Sequence, residues 1–140
     1  MDRILGLDLG SKTCGIAISD SLGLLAHGVE TFRFPSNQYN QAMEHILELI
    51  DQHQVKTVIL GLPKHMNGDI GVRGEVSIRF KERLLERKPD LNIVLEDERL
   101  TTVIAENELI FADVSRKNRK KVIDKMAAVT ILQGYLDRIR

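Results

Sequence analysis

The sequence has very little of what secreted and membrane proteins depend on. It contains a single cysteine, Cys14, among 140 residues, which excludes an internal disulfide and fits a reducing compartment. No apolar stretch approaches the ~20 residues that cross a bilayer, and no charged-then-apolar leader opens the sequence. We therefore expect a cytoplasmic protein without a membrane partner, folded as a single domain over residues 1–140.

Aromatic residues and net charge are also scarce. There is no tryptophan, there are two tyrosines, and 20 basic residues balance 20 acidic ones. The sequence thus shows little sign of an aromatic platform for stacking bases, and its overall charge says nothing about partners. The local distribution of charge is more informative, because the chain contains a run of basic residues. Such a run can bind phosphates, or it can be a solvated loop without a partner. That run comprises Arg116, Lys117, Arg119, Lys120 and Lys121.

Hydrophobic periodicity predicts strands first and then an alternation of helices and strands. The three leading strands are predicted at 3–9, 14–20 and 25–33, close enough in sequence to pair antiparallel. The later elements are predicted as a helix over about 37–53, a strand at 56–62, a loop at 63–74, a helix at 75–88, a strand at 92–97, a helix from Thr101 or Thr102 to about Ala112, a basic loop, and a helix from about Lys120 to Arg138.

This order of elements predicts an α/β fold. Alternating strands and helices imply parallel strands joined by right-handed crossovers. Together with the leading meander, they give a five-stranded mixed sheet, in which three antiparallel strands are extended by two parallel ones and flanked by helices.

Asp8 is the most informative residue of the first strand. Strand alternation places it on one face with Ile4 and Gly6, and places the leucines of the strand on the other. A carboxylate in so apolar a strand is costly unless a cation compensates it. The flanking glycines, Gly6 and Gly10, are expected to leave room for a ligand. Metal or phosphate chemistry is favoured over an Asp8 that only bonds turn amides.

Further acids follow later in the chain. Asp97 and Glu98 end the fifth strand, where ligands bind in doubly wound folds. They lie on opposite faces, and the sequence does not choose between them. Asp124 heads a row of the last helix that continues through Ala128 and Ile131. Solvated strand ends and favourable charge at a helix start remain ordinary alternatives for these acids.

Acids from three separate segments suit hard divalent cations. We predict that Asp8, Asp97 or Glu98, and Asp124 are the metal ligands and catalytic residues, holding Mg²⁺ or Mn²⁺, with two ions expected. Two ions ~3.5–4 Å apart serve phosphodiester hydrolysis.

Four segments together resemble the YqgF/RuvX family, in the family's order and along nearly the whole chain. They read ILGLDLGSKTCGIAISD at 4–20, GLPKHMNGDIGVRGE at 61–75, EDERLTT at 96–102 and RKKVIDKMAAVTILQGYL at 119–136. The resemblance implies a ribonuclease-H-like fold related to RuvC-type Holliday junction resolvases. It also implies a cytoplasmic hydrolase of phosphodiester bonds that processes the 5′ end of pre-16S ribosomal RNA in ribosome biogenesis.

The family's acidic positions fall on residues already singled out. Its first-strand acid falls on Asp8, the acid of its DER motif on Asp97 or Glu98, and its last-helix acid on Asp124. One departure concerns the RuvC-type pattern, which places an acid at the end of the fourth strand. Here that strand ends Leu60-Gly61-Leu62-Pro63 without a carboxylate. We therefore expect the acid of the DER motif, on the neighbouring strand, to take the place of the missing carboxylate.

Substrate contacts are expected from polar residues around this edge. Loops leaving such an edge often carry function, although a polar surface loop, a hairpin turn or an orienting salt bridge explains each residue as well. The predicted substrate-binding residues are Ser11, Lys12, Lys64, Asn67, Arg73, Arg99, Arg116, Lys117, Arg119 and Lys120.

Three other functions use the same residues differently. A Holliday junction resolvase acting in DNA recombination and repair would share the acids but need a homodimer, whereas an RNA nuclease works as a monomer or homodimer. A non-catalytic nucleic-acid-binding module would not need all three acidic positions. The turn at 8–13 is also similar to the first phosphate loop of actin-like ATPases, although those proteins bind nucleotide between two such domains.

Overall fold

The computed structural model describes residues 2–65, 67–98 and 116–139, with residues 116–125 described by their backbone. Arg99 and the helix predicted between 101 and 112 lie outside the described residues. The elements in chain order are β1 (Ile4–Leu9), β2 (Thr13–Ser19), β3 (Ala26–Arg33), α1 (Tyr39–His53), β4 (Thr57–Leu62), α2 (Val72–Arg87), β5 (Asn92–Asp97) and α3 (Arg116–Arg138).

The strands form one five-stranded sheet in the order β3-β2-β1-β4-β5. β1 and β3 both run antiparallel to β2, whereas β4 runs parallel to β1 and to β5. The predicted mixed sheet is therefore confirmed. Because β1, β4 and β5 are parallel neighbours, their carboxyl ends open at one edge of the sheet, where α/β folds bind ligands.

The two faces of β1 are covered by different helices, as strand alternation requires. Leu5, Leu7 and Leu9 are buried in a core shared with α1 and α2. Ile4 belongs to a second core, in which Ala128, Ile131, Leu132 and Leu136 of α3 cover the opposite face. The sheet is thus the middle layer of three. None of the helices that the structure describes is long and apolar enough to span a membrane.

Two helices begin earlier than the hydrophobic pattern predicted. α2 begins at Val72 rather than at 75, so Arg73 lies in a helix and not in the preceding loop. α3 begins at Arg116, so the part of the basic run predicted as loop is helical. The prediction was wrong at both points because Arg and Lys extend helices well without adding any apolar periodicity.

Close contact between α3 and β1 depends on Gly6. A Cβ atom added at Gly6 would lie 2.7 Å from the Leu132 Cβ and 3.1 Å from the Ala128 carbonyl oxygen. Gly6→Ala is therefore expected to lower the free energy of unfolding by roughly 1–3 kcal/mol, since main-chain atoms have little freedom to move aside.

Urea denaturation of the variant measures this loss, and Gly134→Ala is the matched control. Gly134 lies on α3, the helix that packs on Gly6, and a Cβ atom added there meets nothing within 4 Å. The control should gain about 0.4–1 kcal/mol from reduced chain entropy. Equal midpoints for the two variants would contradict the close packing of α3 on β1.

Candidate active site

Asp8 lies near the carboxyl end of β1, half-buried, opposite Gly15 of β2 and on the face covered by α3. The expectation that its neighbouring glycines leave room for a ligand is wrong. The space beside Gly6 is filled by Leu132, as described above. Gly10 instead serves the hairpin turn, where its amide donates to the Thr13 carbonyl at 2.7 Å.

The three acids that close β5 have three different partners. Glu96 forms an ion pair with Arg138 at the end of α3. Asp97 lies 3.9 Å from the Lys64 ammonium group, on the face of the sheet away from α3. Glu98 is held against another acid, because its side chain hydrogen-bonds to Asp8. The structure thus distinguishes Asp97 from Glu98, which the sequence could not do.

Gly61 provides the space that Glu98 occupies. A Cβ atom added at Gly61 would overlap the Glu98 Oε2 atom and would lie 2.8 Å from the Ile131 Cδ1 atom. The carboxylate missing from the end of β4 is thus replaced, over Gly61, by one from the neighbouring strand. Sequence reasoning missed Gly61, although a glycine inside a strand often marks such a close approach.

The Asp8–Glu98 pair retains a proton. The pKa of Glu98 is raised from 4.5 to about 9, chiefly by burial and then by the charge of Asp8 and its hydrogen bond to the protonated Glu98, against a smaller opposing effect of Arg73. Two half-buried carboxyl groups that must share a proton suit a divalent cation, which would replace that proton and satisfy both. The donor set therefore fits Mg²⁺ or Mn²⁺.

Arg73 connects α2 to the end of β1. Its guanidinium donates one hydrogen bond to the Leu9 carbonyl at 3.2 Å and another to the Tyr39 hydroxyl at 3.1 Å. Its charge is also close enough to lower the pKa of Glu98. Arg73 was predicted from sequence as a substrate contact. In the structure it lies near the acid pair, and its hydrogen bonds to Leu9 and Tyr39 fix its orientation.

The third predicted acid belongs to α3. Position 124 lies one helical turn before Ala128, whose carbonyl oxygen approaches Gly6 of β1. The side chain of Asp124 lies outside the described residues, as do those of Arg116, Lys117, Arg119 and Lys120. Among the side chains that are described, no group of three metal-ligating residues converges.

The remaining predicted substrate contacts lie in two loops. In the loop after β4, the Asn67 amide donates to Asp69 at 3.1 Å, and Lys64 faces Asp97. In the β1–β2 turn, the carbonyl oxygens of Ser11 and Lys12 accept hydrogen bonds from the amides of Asn37 and Phe34. Lys12 itself is exposed. These residues border the edge that carries the acid pair, and their contact with substrate stays a prediction.

Sequence comparison identifies a family and close relatives. A family model described as RuvX, Holliday junction resolvase, matches residues 2–138. A Staphylococcus epidermidis protein named "Putative pre-16S rRNA nuclease" is 56% identical over 138 residues, covering 99% of this chain and 97% of that protein. A Staphylococcus aureus protein of the same name is 54% identical over 137 residues, covering 98% and 96%.

Comparison with solved structures supports the fold. The Thermus thermophilus RuvC in complex with a Holliday junction substrate matches with a TM-score of 0.61 and 9% identity, over 99% of this chain and 96% of that one. The fowlpox virus Holliday junction resolvase matches with a TM-score of 0.58 and 12% identity, over 99% of both chains. At such low identity these matches show a shared architecture, which is the ribonuclease-H-like fold of the RuvC-type resolvases.

Proposed function

Because the chain belongs to the RuvX family, we propose that it is a metal-dependent nuclease that hydrolyses phosphodiester bonds during 5′-end processing of pre-16S ribosomal RNA. The observation that carries this proposal is the contact between Asp8, near the end of β1, and Glu98, just after β5, which brings two carboxyl groups together at the ligand-binding edge of the sheet. The names of the staphylococcal relatives support the choice of substrate. The site of action is the bacterial cytoplasm.

The metal ligands in this proposal are Asp8, Glu98 and Asp124. Asp97 is the weaker candidate, since Lys64 already lies beside it on the other face. Two ions of Mg²⁺ or Mn²⁺, when bound, supply an activated water and neutralise the leaving oxygen.

The chain's own residues prepare this site. Asp8 and Glu98 keep one proton between them in the free protein, so the site holds one negative charge instead of two unpaired ones. Arg73 fixes the end of β1 through the Leu9 carbonyl, and thereby the backbone that carries Asp8. Gly61 allows Glu98 to lie flat on β4. Together these contacts hold the two carboxyl groups in place before the substrate arrives.

The decisive experiment compares two substrates side by side. Pre-16S RNA and a four-way DNA junction are incubated with the protein, with and without Mn²⁺. We expect cleavage of the RNA near its mature 5′ end only when metal is present. Failure to cut the RNA under any metal condition would refute the proposal.

A DNA resolvase is the second candidate, because the matching family model is described by that activity and the fold is that of RuvC. Resolution of a junction needs two active sites on one substrate. Symmetric nicks by a homodimer would favour this function. A monomer that ignores junctions would exclude it.

Gly61→Ala tests the placement of Glu98 without removing any acid. The added methyl group would displace the Glu98 carboxyl group, so we expect the cleavage rate to fall roughly 10–100-fold, as when the support of a metal ligand is lost. Single-turnover RNA cleavage measures the effect. Gly28→Ala is the control, because the added atom there meets only Val129, at an ordinary 3.5 Å. Equal rates for both variants would contradict the placement.

A further inference from the structure

A cleft outside the acid pair lies between the start of α1 and the outer face of α2. It has a volume of about 190 Å³ and is lined by Tyr39, Val76, Arg79, Phe80 and Arg83. An apolar cavity of ~150 Å³ already admits a benzene ring, so this cleft has room for a planar ring. Phe80 is buried, whereas Tyr39 is half-buried and presents part of its ring.

The cleft is positively charged. Arg79 and Arg83 are exposed and lie one helical turn apart on α2, and the described residues that line the cleft include no carboxylate. The ion pairs found among the described residues use other cations, including Arg87 of the same helix, which pairs with Glu44 at 2.8 Å. Two arginines beside an aromatic wall form the combination that binds a nucleotide, because phosphate prefers guanidinium and a base stacks on a ring.

One side chain connects this cleft to the acid pair. Tyr39, which lines the cleft, accepts a hydrogen bond from Arg73, and Arg73 also donates to the carbonyl of Leu9, the residue after Asp8. Arg73 thus links the residue after Asp8 to the wall of the cleft, so a strand cut at the acid pair can extend past Arg73 towards the cleft.

We propose that the cleft is a nucleotide-binding subsite for an unpaired stretch of the substrate strand, which stacks one base on Tyr39 and places the flanking phosphates on Arg79 and Arg83. The proposal rests on the proposed function, because the strand that enters the cleft is the one cut at the acid pair. The sequence showed little sign of an aromatic platform, because the tyrosine and the phenylalanine that line the cleft come from distant segments.

Binding is tested separately from cleavage. The Asp8→Asn protein is titrated into a fluorescein-labelled single-stranded RNA of about 12 nucleotides, and anisotropy gives the dissociation constant at several salt concentrations. We expect the added Arg79→Ala and Arg83→Ala changes to weaken binding about tenfold or more and to reduce the salt slope by about 1.4, for two lost phosphate contacts. Arg87→Ala, which removes one positive charge from the same helix outside the cleft, should leave both values nearly unchanged.

A second variant removes the ring but keeps the charge of the cleft. Tyr39→Leu takes away the aromatic surface on which the base stacks, and we expect it to weaken RNA binding about tenfold, with circular dichroism confirming the fold. Binding that is unchanged in a folded Tyr39→Leu protein would overturn the insertion of a base. Binding by the double arginine variant that equals the Arg87→Ala control would overturn the subsite as a whole.

Cleavage by the protein with Asp8 intact distinguishes this proposal from the proposed function. We expect the double arginine variant to raise KM about tenfold on long RNA with kcat unchanged, as for lost uniform binding. A substrate too short to reach the cleft should be cut equally by variant and wild type. If the wild type cuts RNA and the double variant has an unchanged KM, the proposed subsite is wrong, whereas the proposed nuclease function is still supported. If the wild type cuts no RNA, the nuclease itself is overturned.

Discussion

Replacing Asp8 with asparagine is expected to lower the rate of metal-dependent RNA cleavage by about 10³-fold or more, because a neutral amide binds Mg²⁺ and Mn²⁺ far less well than a carboxylate. The fold should survive the change. Asp8 is half-buried against Glu98, and an uncharged side chain of the same shape removes repulsion from that pair. Single-turnover cleavage at saturating Mn²⁺ measures the rate.

Metal binding by the same variant provides a readout that does not depend on substrate. Wild-type protein should unfold at a higher temperature in Mn²⁺ than in chelator, since a ligand at about 100 times its dissociation constant adds about 2.7 kcal/mol. Asp8→Asn should lose most of that gain. Asp90→Asn, at an exposed acid in the turn before β5, is the matched control. Full activity of Asp8→Asn would refute the proposed site.

Replacing Glu98 with glutamine is expected to inactivate the enzyme and to stabilise the metal-free protein above neutral pH. The loss of activity should be about 10²-fold or more, as for removal of a group that acts on developing charge. The stability gain arises because Glu98 is buried and faces Asp8, so its ionisation is unfavourable in the folded state.

The direction of the pH effect follows from the pKa of Glu98, which is 4.5 in the unfolded chain and about 9 in the folded protein. The folded state holds a proton that the unfolded state has released over that window. The metal-free protein therefore loses stability as pH rises from about 4.5 towards about 9. Glu98→Gln lacks this loss, so the difference in unfolding temperature between variant and wild type should grow across the window.

Thermal unfolding in chelator at pH 5, 7 and 9 measures that difference. At the alkaline end a gain of about 1–3 kcal/mol, which is roughly 3–10 °C for a chain of this size, is expected. Glu86→Gln, at an exposed position on α2, is the control, and its unfolding temperature should change with pH in the same way as that of the wild type. If the unfolding temperature of Glu98→Gln also followed that of the wild type across this pH range, Glu98 would not share a proton with Asp8.

The architecture was predictable because its strands are short, apolar and regularly placed. Alternation along β1 correctly assigned its leucines to one core and Ile4 to the other. Helix starts were less predictable, since Arg73 and Arg116 lie in helical turns that add no apolar periodicity. Arg and Lys have good helix propensity, which a hydrophobic pattern does not report.

The acid pair was only partly predictable. Asp8 stands out in the sequence as an acid within an apolar strand, and it remains the strongest candidate. The sequence could not choose between Asp97 and Glu98, because the choice depends on which face of β5 lies over Gly61. The partners of Asp97 and Glu96, which are Lys64 and Arg138, come from distant segments. Such pairings arise only from the folded topology.

The packing of α3 on β1 has a consequence for when the enzyme first becomes active. Gly6 contacts Leu132, so the central strand packs on a helix that is synthesised much later in the chain. During translation, β1 leaves the ribosome first and must wait for α3 before its acid-bearing face is covered. In the proposed mechanism, a nascent chain still lacking α3 also lacks Asp124. In that mechanism the nuclease stays inert until α3 has been synthesised and has packed on β1.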